Sequence, residues 1–248
     1  KYRSRFNMII FVKRGQWAAK QTISEALGPE LIPNARIAVC GSGGKTSIIM
    51  RLAEEQKMFG KKTLIFTTTR MYKPAKYGVL TGRADEIKNA LTKNNIVIAG
   101  IEATDGKIAW PGDALYRLCA PWADLVLIEA DGSKKLPVKF PNNAEPVIPP
   151  DTDIILAVTG LSAAGKPGTL FCHRWELAKK VLGDQKETLR SEDICLLLSE
   201  GYLKPLRNKK VIPVINQADN EDLQKTGKEM IDRLGADPGV VMSNGVIS

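Results

Sequence analysis

Gly41-Ser42-Gly43-Gly44-Lys45-Thr46-Ser47 gathers three glycines, a lysine and three hydroxyls directly after the apolar run RIAVC. Glycine lets the backbone take positive φ and approach an anion without a Cβ in the way. Consecutive N–H groups at the start of a helix then form a concave nest that favours negative charge. Lys45 is placed to reach the β- and γ-phosphates of a nucleoside triphosphate, and the Thr46 hydroxyl to join a Mg²⁺ shell. The expected cofactors are therefore Mg²⁺ and ATP or GTP, held by Gly41, Ser42, Gly43, Gly44, Lys45, Thr46 and Ser47. The loop has the short form G-x-x-G-K-[ST], since the residue five before Gly44 is Val39. The bland alternative is a glycine turn that starts a helix beside an incidental lysine.

The run LVLIEADGS puts Glu129 and Asp131 at the end of an apolar stretch, and a spacing of two sets both on one face of a strand. Glu129 is the candidate metal partner with Thr46, and Asp131 the candidate base or water-positioning group. A carboxylate there is also an ordinary way for a chain to leave a sheet. In TLIFTTTR, Thr67 and Thr69 share a face and Arg70 is suited to neutralise phosphate charge. Threonine also simply favours strands. Asn216-Gln217-Ala218-Asp219 follows VIPVI as a guanine-reading N-K-x-D would, with Asn216 and Asp219 in place and Gln217 where lysine is usual. Asp219 could instead cap a helix beginning near Asn220. The lone histidine, His173, is a candidate general acid or base without a visible partner. The candidate catalytic set is thus Lys45, Arg70, Asp131 and His173.

To position these groups the chain needs strands that end in loops on one side. Short aliphatic runs recur at 36–40, 63–69, 96–100, 125–130, 153–160, 211–217 and 240–243, and they are continuous rather than alternating. That pattern predicts strands covered on both faces, as in a parallel sheet. Helical patterns fall between them at 46–59, 111–120, 174–182, 191–200 and 220–234, with Ser191 as a cap and Gly201 as a stop. The expected architecture is α/β: a three-layer fold of the P-loop NTPase type with a mostly parallel sheet. Residues 132–152 carry five prolines and read as a long functional loop. A basic segment, 1–22, precedes an α/β domain over 23–248, with a sub-boundary near 160.

With 44% hydrophobic and 25% charged residues, the composition excludes extended disorder. The net charge of +9 suits an anionic ligand or partner, or equally a solvated basic surface. Cys40, Cys119, Cys172 and Cys195 form no C-x-x-C pair, which argues against a disulfide framework or a structural zinc site. The apolar run 8–12 is too short for a signal peptide, and no run approaches a membrane span. A cytoplasmic protein without membrane contact is expected. Dispersed basic residues and 6% aromatics disfavour nucleic acid as a partner.

The short loop resembles the phosphate loops of Mur-type peptide ligases. Taken with TTTRM, LIEADGSKKLPVKFP, EPVIPPDTD, VTGLSAAGKP, His173-Arg174 and NQAD, the chain resembles the YqeC family, described as selenium-dependent hydroxylase accessory proteins. The long proline-rich block makes the resemblance specific. Gln217 departs from the family's usual N-K-A-D, and residues 1–22 do not align with it. The resemblance implies a role in maturing a molybdenum hydroxylase, with that enzyme or a pterin cofactor intermediate as partner. Lys134, Lys135 and Lys139 of the proline-rich loop are then candidates to attract an anionic group. Two other readings stand beside a Mg²⁺-dependent NTPase: a nucleotide-gated binding switch, and an ATP-dependent kinase or ligase.

Overall fold

Strands made of β-branched and aliphatic residues without polar alternation have to be covered on both sides, and the central strands of this chain are. The computed structural model describes residues 9–243. Its main sheet is built from β1 (Ile9–Lys13), β2 (Gln16–Lys20), β3 (Ala35–Gly41), β4 (Thr63–Thr67), β6 (Gly78–Val79), β7 (Ile96–Ala99), β10 (Leu125–Glu129), β12 (Ile154–Gly160), β14 (Val211–Asn216) and β15 (Gly239–Met242). Their order is β2-β1-β15-β14-β12-β3-β10-β4-β7-β6. From β15 to β6 every neighbouring pair is parallel, while the hairpin β1–β2 closes one edge antiparallel. The basic segment 1–22 supplies this hairpin from residue 9 on; residues 1–8 and 244–248 lie outside the described residues.

Alternate residues of each strand enter opposite layers. Ile37, Val39, Ile65, Leu125, Leu127, Leu156 and Val158 pack on one face with α1 (Ile23–Leu27) and α2 (Lys45–Met58). The other face is divided. Ala38, Cys40, Ile155 and Ile215 meet α6 (Trp175–Leu182), α7 (Ser191–Leu198) and α8 (Glu221–Arg233). Leu64, Phe66, Val126 and Ile128 meet α3 (Ala84–Asn94) and α4 (Asp113–Cys119). The result is a three-layer α/β fold around one large, mostly parallel sheet.

Two small sheets and a short helix lie outside this frame. One sheet joins β5 (Arg70–Tyr72), β9 (Lys107–Ala109) and β8 (Ile101–Glu102); the other pairs β11 (Val138–Lys139) with β13 (Cys172–His173), which follows α5 (Gly168–Phe171). The helix α3, the edge hairpin and the β5–β9–β8 sheet were not expected, although α3 is amphipathic, with Ile87 and Leu91 buried one turn apart. Two expected helix signals also differ. Ser191 is the first residue of α7, whose entry is held by Asp193 Oδ2 accepting from the Arg190 N–H at 2.7 Å. Gly201 lies inside a further π-helical turn, where Pro141 and Phe140 leave no room for a Cβ.

Connectivity fixes where a ligand site belongs. From β3 the chain runs through α2 to β4, and the later strands β12, β14 and β15 are laid down on the opposite side of β3. The carboxyl end of β3 is therefore the point where the strand order reverses, and crevices form there in open α/β sheets.

Candidate functional site

The glycine loop occupies that reversal point. Gly41, Gly43 and Gly44 have φ of 91°, 80° and 120°, in the region that L side chains rarely adopt. Close packing adds a second constraint, because a Cβ on Gly43 would overlap the backbone of Gly160 and of Pro137. The amides divide into two groups. Gly41 N–H donates to Asp131 Oδ2 at 3.0 Å, Ser42 N–H to Val158 O at 2.8 Å and Gly43 N–H to Leu136 O at 3.2 Å. These three hold the loop in shape and are not turned to a ligand. The first helical bond of α2 runs from Ile48 N–H to Gly44 O, so the amides of Gly44, Lys45, Thr46 and Ser47 form the unpartnered first turn. No side chain caps this turn and no acid lies in it. These four amides lie at the helix start, where the sequence places the nest.

Glu129 and Asp131 have different hydrogen-bond partners, and Lys45 lies near both. The strand stops at Glu129, and Asp131 lies in the turn that follows it. Glu129 accepts from the Thr46 hydroxyl at 2.7 Å and is 6% exposed. Burial pushes its carboxyl above the ordinary range, partly offset by Lys45 and the Thr46 hydrogen bond. Asp131 is fully buried. It accepts from Gly41 N–H and from the Tyr202 hydroxyl at 2.9 Å, and pairs with Lys45 at 3.2 Å and Lys139 at 3.0 Å. Lys45 also donates to Gly41 O at 2.7 Å, so its ammonium is folded back on its own loop. The ion pairs continue from Lys139 to Glu145 at 2.8 Å, and from Glu145 to Arg174. Lys139, expected to draw an anion from solvent, is instead buried inside this chain of charges. Glu145 ends below the ordinary carboxylate range: burial raises it, but Arg174 and Lys139 outweigh that.

Above this buried chain lies an open groove of about 1200 Å³. Gly43, Gly44, Lys45, Thr46, Ser47, Glu129, Arg70, His173 and Gln217 all line it, with Arg174 and Glu145. The groove therefore collects most of the residues singled out by the sequence. Asp131 lies beneath it. Arg70 is exposed and donates to Thr104 Oγ1 at 3.3 Å. Thr67 is buried and donates to Glu129 O at 3.2 Å, while Thr69 reaches the groove. His173 titrates at about 4, because burial and the neighbouring Arg174, Lys139 and Lys134 disfavour its cation.

Asn216 is buried under the loop, its amide donating to Gly43 O at 2.7 Å. Asp219 is exposed, and the cap of α8 is Asn220, whose side chain accepts from Leu223 N–H at 2.8 Å. Gln217 accepts from the Ser162 hydroxyl at 2.6 Å. Tyr202, Tyr72 and Lys107 belong to no motif of the sequence, and Glu145 enters only as the first residue of EPVIPPDTD. They come from four separate segments, and no spacing in the chain signals that the fold brings them to one place.

Among the described residues no group of three or more His, Cys, Asp or Glu side chains is placed to hold a metal. The four thiols are free and buried. What the groove does offer is Thr46 Oγ1 in contact with a carboxylate whose burial makes it seek a cation. That pair fits Mg²⁺, which takes one or two carboxylates and fills its remaining positions with phosphate oxygens and water. No helix among the described residues is long and apolar enough to cross a membrane.

A family model described as YqeC protein matches residues 37–176, from β3 to the first turn of α6. The Uncharacterized protein YqeC of Escherichia coli (strain K12) is 33% identical over 180 residues, covering 69% of this chain and 70% of that protein. The matched model span contains the glycine loop, Arg70, Glu129, Asp131, Glu145, His173 and Arg174, and it stops short of Asn216 and Asp219. The family model covers more than half of the chain, and on that match the chain belongs to the YqeC family.

Proposed function

We propose that this protein is a Mg²⁺-dependent nucleotide-binding protein with NTPase activity, acting as an accessory factor in the maturation of a selenium-dependent molybdenum hydroxylase. The observation that carries the nucleotide reading is the Thr46–Glu129 hydrogen bond of 2.7 Å beside the uncapped first turn of α2. Four unpartnered amides and the helix dipole favour a phosphate. Lys45 is adjacent and exchanges Gly41 O for phosphate oxygens. Thr46 and Glu129 would hold the metal, which would supply charge neutralisation at the phosphates. The three shaped amides, with Asp131 and Asn216, keep the loop rigid. Asp131 acts here as a positioning residue for Lys45 and Gly41 rather than as a base, since solvent does not reach it. His173 stays neutral at pH 7 and lines the groove as a hydrogen-bonding group; a ring titrating at about 4 is a weak base. The maturation role rests on the family resemblance.

The switch reading has an observation of its own. Lys45 is the first member of the buried series Lys45–Asp131–Lys139–Glu145–Arg174. Drawing its ammonium towards phosphate alters the charge balance felt along the proline-rich loop. Stimulated hydrolysis in the presence of a hydroxylase apoprotein favours this reading.

The metal site is tested by nucleotide titration with and without Mg²⁺. Wild-type protein gains at least about tenfold in affinity from the metal, equivalent to about 1.4 kcal/mol. Glu129→Gln retains metal-free binding and loses that gain. An undiminished Mg²⁺ effect in Glu129→Gln removes Glu129 from the site.

A further inference from the structure

The groove contains more positive charge than a phosphate loop needs. Besides Lys45 it is lined by Arg70, Lys107, Lys134, Lys135 and Arg174. Arg174 is paired with Glu145. None of the ion pairs among the described residues involves Arg70, Lys107, Lys134 or Lys135. Lys135 and Lys107 instead rest over the ring of Tyr72, their ammonium groups 4.4 and 5.6 Å from its centroid. At exposed sites such contacts contribute only about 0.5–1 kcal/mol. Like charges gathered on a concave surface repel one another and raise the local concentration of anions.

Backbone geometry points the same way. Lys134 and Lys135 are consecutive residues with φ of 50° and 62°, and Arg174 and Gln217 have φ of 62° and 63°. Among the described residues, four of the nine positive-φ residues other than glycine therefore line this one groove. Each such conformation costs on the order of 1 kcal/mol or more for an L residue, and glycine would relieve it. The chain nonetheless has two adjacent lysines there, following Gly132-Ser133, with both side chains on the groove. Tyr72 lies beside them and is 58% exposed, an unusual degree for an aromatic ring inside a groove.

Size leaves room for two occupants. A drug-sized ligand fills a pocket of about 300–1,000 Å³, and this groove measures about 1200 Å³. We infer that the stretch lined by Arg70, Tyr72, Lys107, Lys134 and Lys135 is a second anion subsite, which takes a phosphorylated small molecule alongside the nucleotide. A phosphate monoester carries close to two negative charges at neutral pH. It draws Lys135 and Lys107 off the Tyr72 ring, which is then free to stack on a planar part of the ligand. This subsite deepens the nucleotide reading and rests on it only in that the glycine loop is filled separately.

Phenyl phosphate, a dianion with a planar ring, is the probe. It is titrated calorimetrically into wild-type protein with and without saturating Mg-nucleotide, into Lys45→Ala, and into the double variant Lys134→Ala/Lys135→Ala. The probe binds wild-type protein in both conditions and binds Lys45→Ala with unchanged affinity. The double variant weakens the probe by at least about tenfold and leaves nucleotide affinity within about threefold. Displacement of the probe by Mg-nucleotide, or an equal loss of both ligands in the double variant, assigns these lysines to the nucleotide site and overturns the inference. Absence of probe binding to wild-type protein at millimolar concentration also overturns it. A protein that binds phenyl phosphate but no nucleotide refutes the NTPase reading and leaves the anion subsite standing.

Discussion

Asp131 and Glu129 are two residues apart, yet burial gives them separate tasks. A carboxylate removed from water needs partners that hold its charge, and Asp131 has two lysines, an amide and a phenol around it. Glu129 has one hydroxyl and an opening onto the groove. The sequence made both residues visible as acids at a strand end, but not the partners of Asp131: Tyr202 is distant along the chain, and Lys139 is brought back by the proline-rich loop. His173 permits a direct test at this scale. It is the sole histidine, so one imidazole titration in untagged protein reads it without assignment. Its proton NMR shifts give a midpoint near 4 rather than near 6.5. The sign for stability follows from that depression. The unfolded chain takes up the proton first, so the contribution is present above about 6.5 and is lost as pH falls to about 4. A midpoint at or above 6.5 contradicts the positive surroundings described for the groove.

At the scale of elements, the unit that matters is β3, the glycine loop and α2. It was legible because each part has a local cause: a continuous apolar strand, glycines at positive φ, and a helix whose buried residues Ile48, Ile49, Leu52 and Ala53 recur on one face. The strands β4, β7, β10, β12, β14 and β15 were legible for the same reason. The hairpin β1–β2 was less so, because β2 reads QWAAK and lies at an exposed edge. The β5–β9–β8 sheet was missed because its strands are two or three residues long. The end of β14 supplies the element-scale prediction. Asn216 donates to Gly43 O at 2.7 Å and so braces the loop. Asn216→Ala therefore weakens Mg-ATP and Mg-GTP by the same factor, about tenfold for one buried hydrogen bond whose acceptor is left unpaired. A loss confined to Mg-GTP makes Asn216 a reader of the base instead, as an N-x-x-D motif suggests.

Over the whole molecule, the three layers follow from the alternation of aliphatic runs with amphipathic helices. The buried series from Lys45 to Arg174 does not. It joins the glycine loop, the turn after β10, the proline-rich loop and the start of α6, and only the closed fold brings those segments together. The net charge of +9 suited an anionic ligand and a solvated basic surface equally, and it marked no place for either. In the fold, one groove holds the glycine loop together with Arg70, Lys107, Lys134 and Lys135, which form no ion pair among the described residues. The account stands on that groove binding a nucleotide through Lys45. The most direct test is calorimetric titration of Mg-ATP and Mg-GTP into wild-type protein and into Lys45→Ala, with far-UV circular dichroism to establish that the variant is folded. The predicted result is saturable binding of at least one nucleotide, weakened by about a hundredfold or more in the variant, or about 2.7 kcal/mol. Binding of neither nucleotide to the folded wild type, or undiminished affinity in Lys45→Ala, contradicts the account.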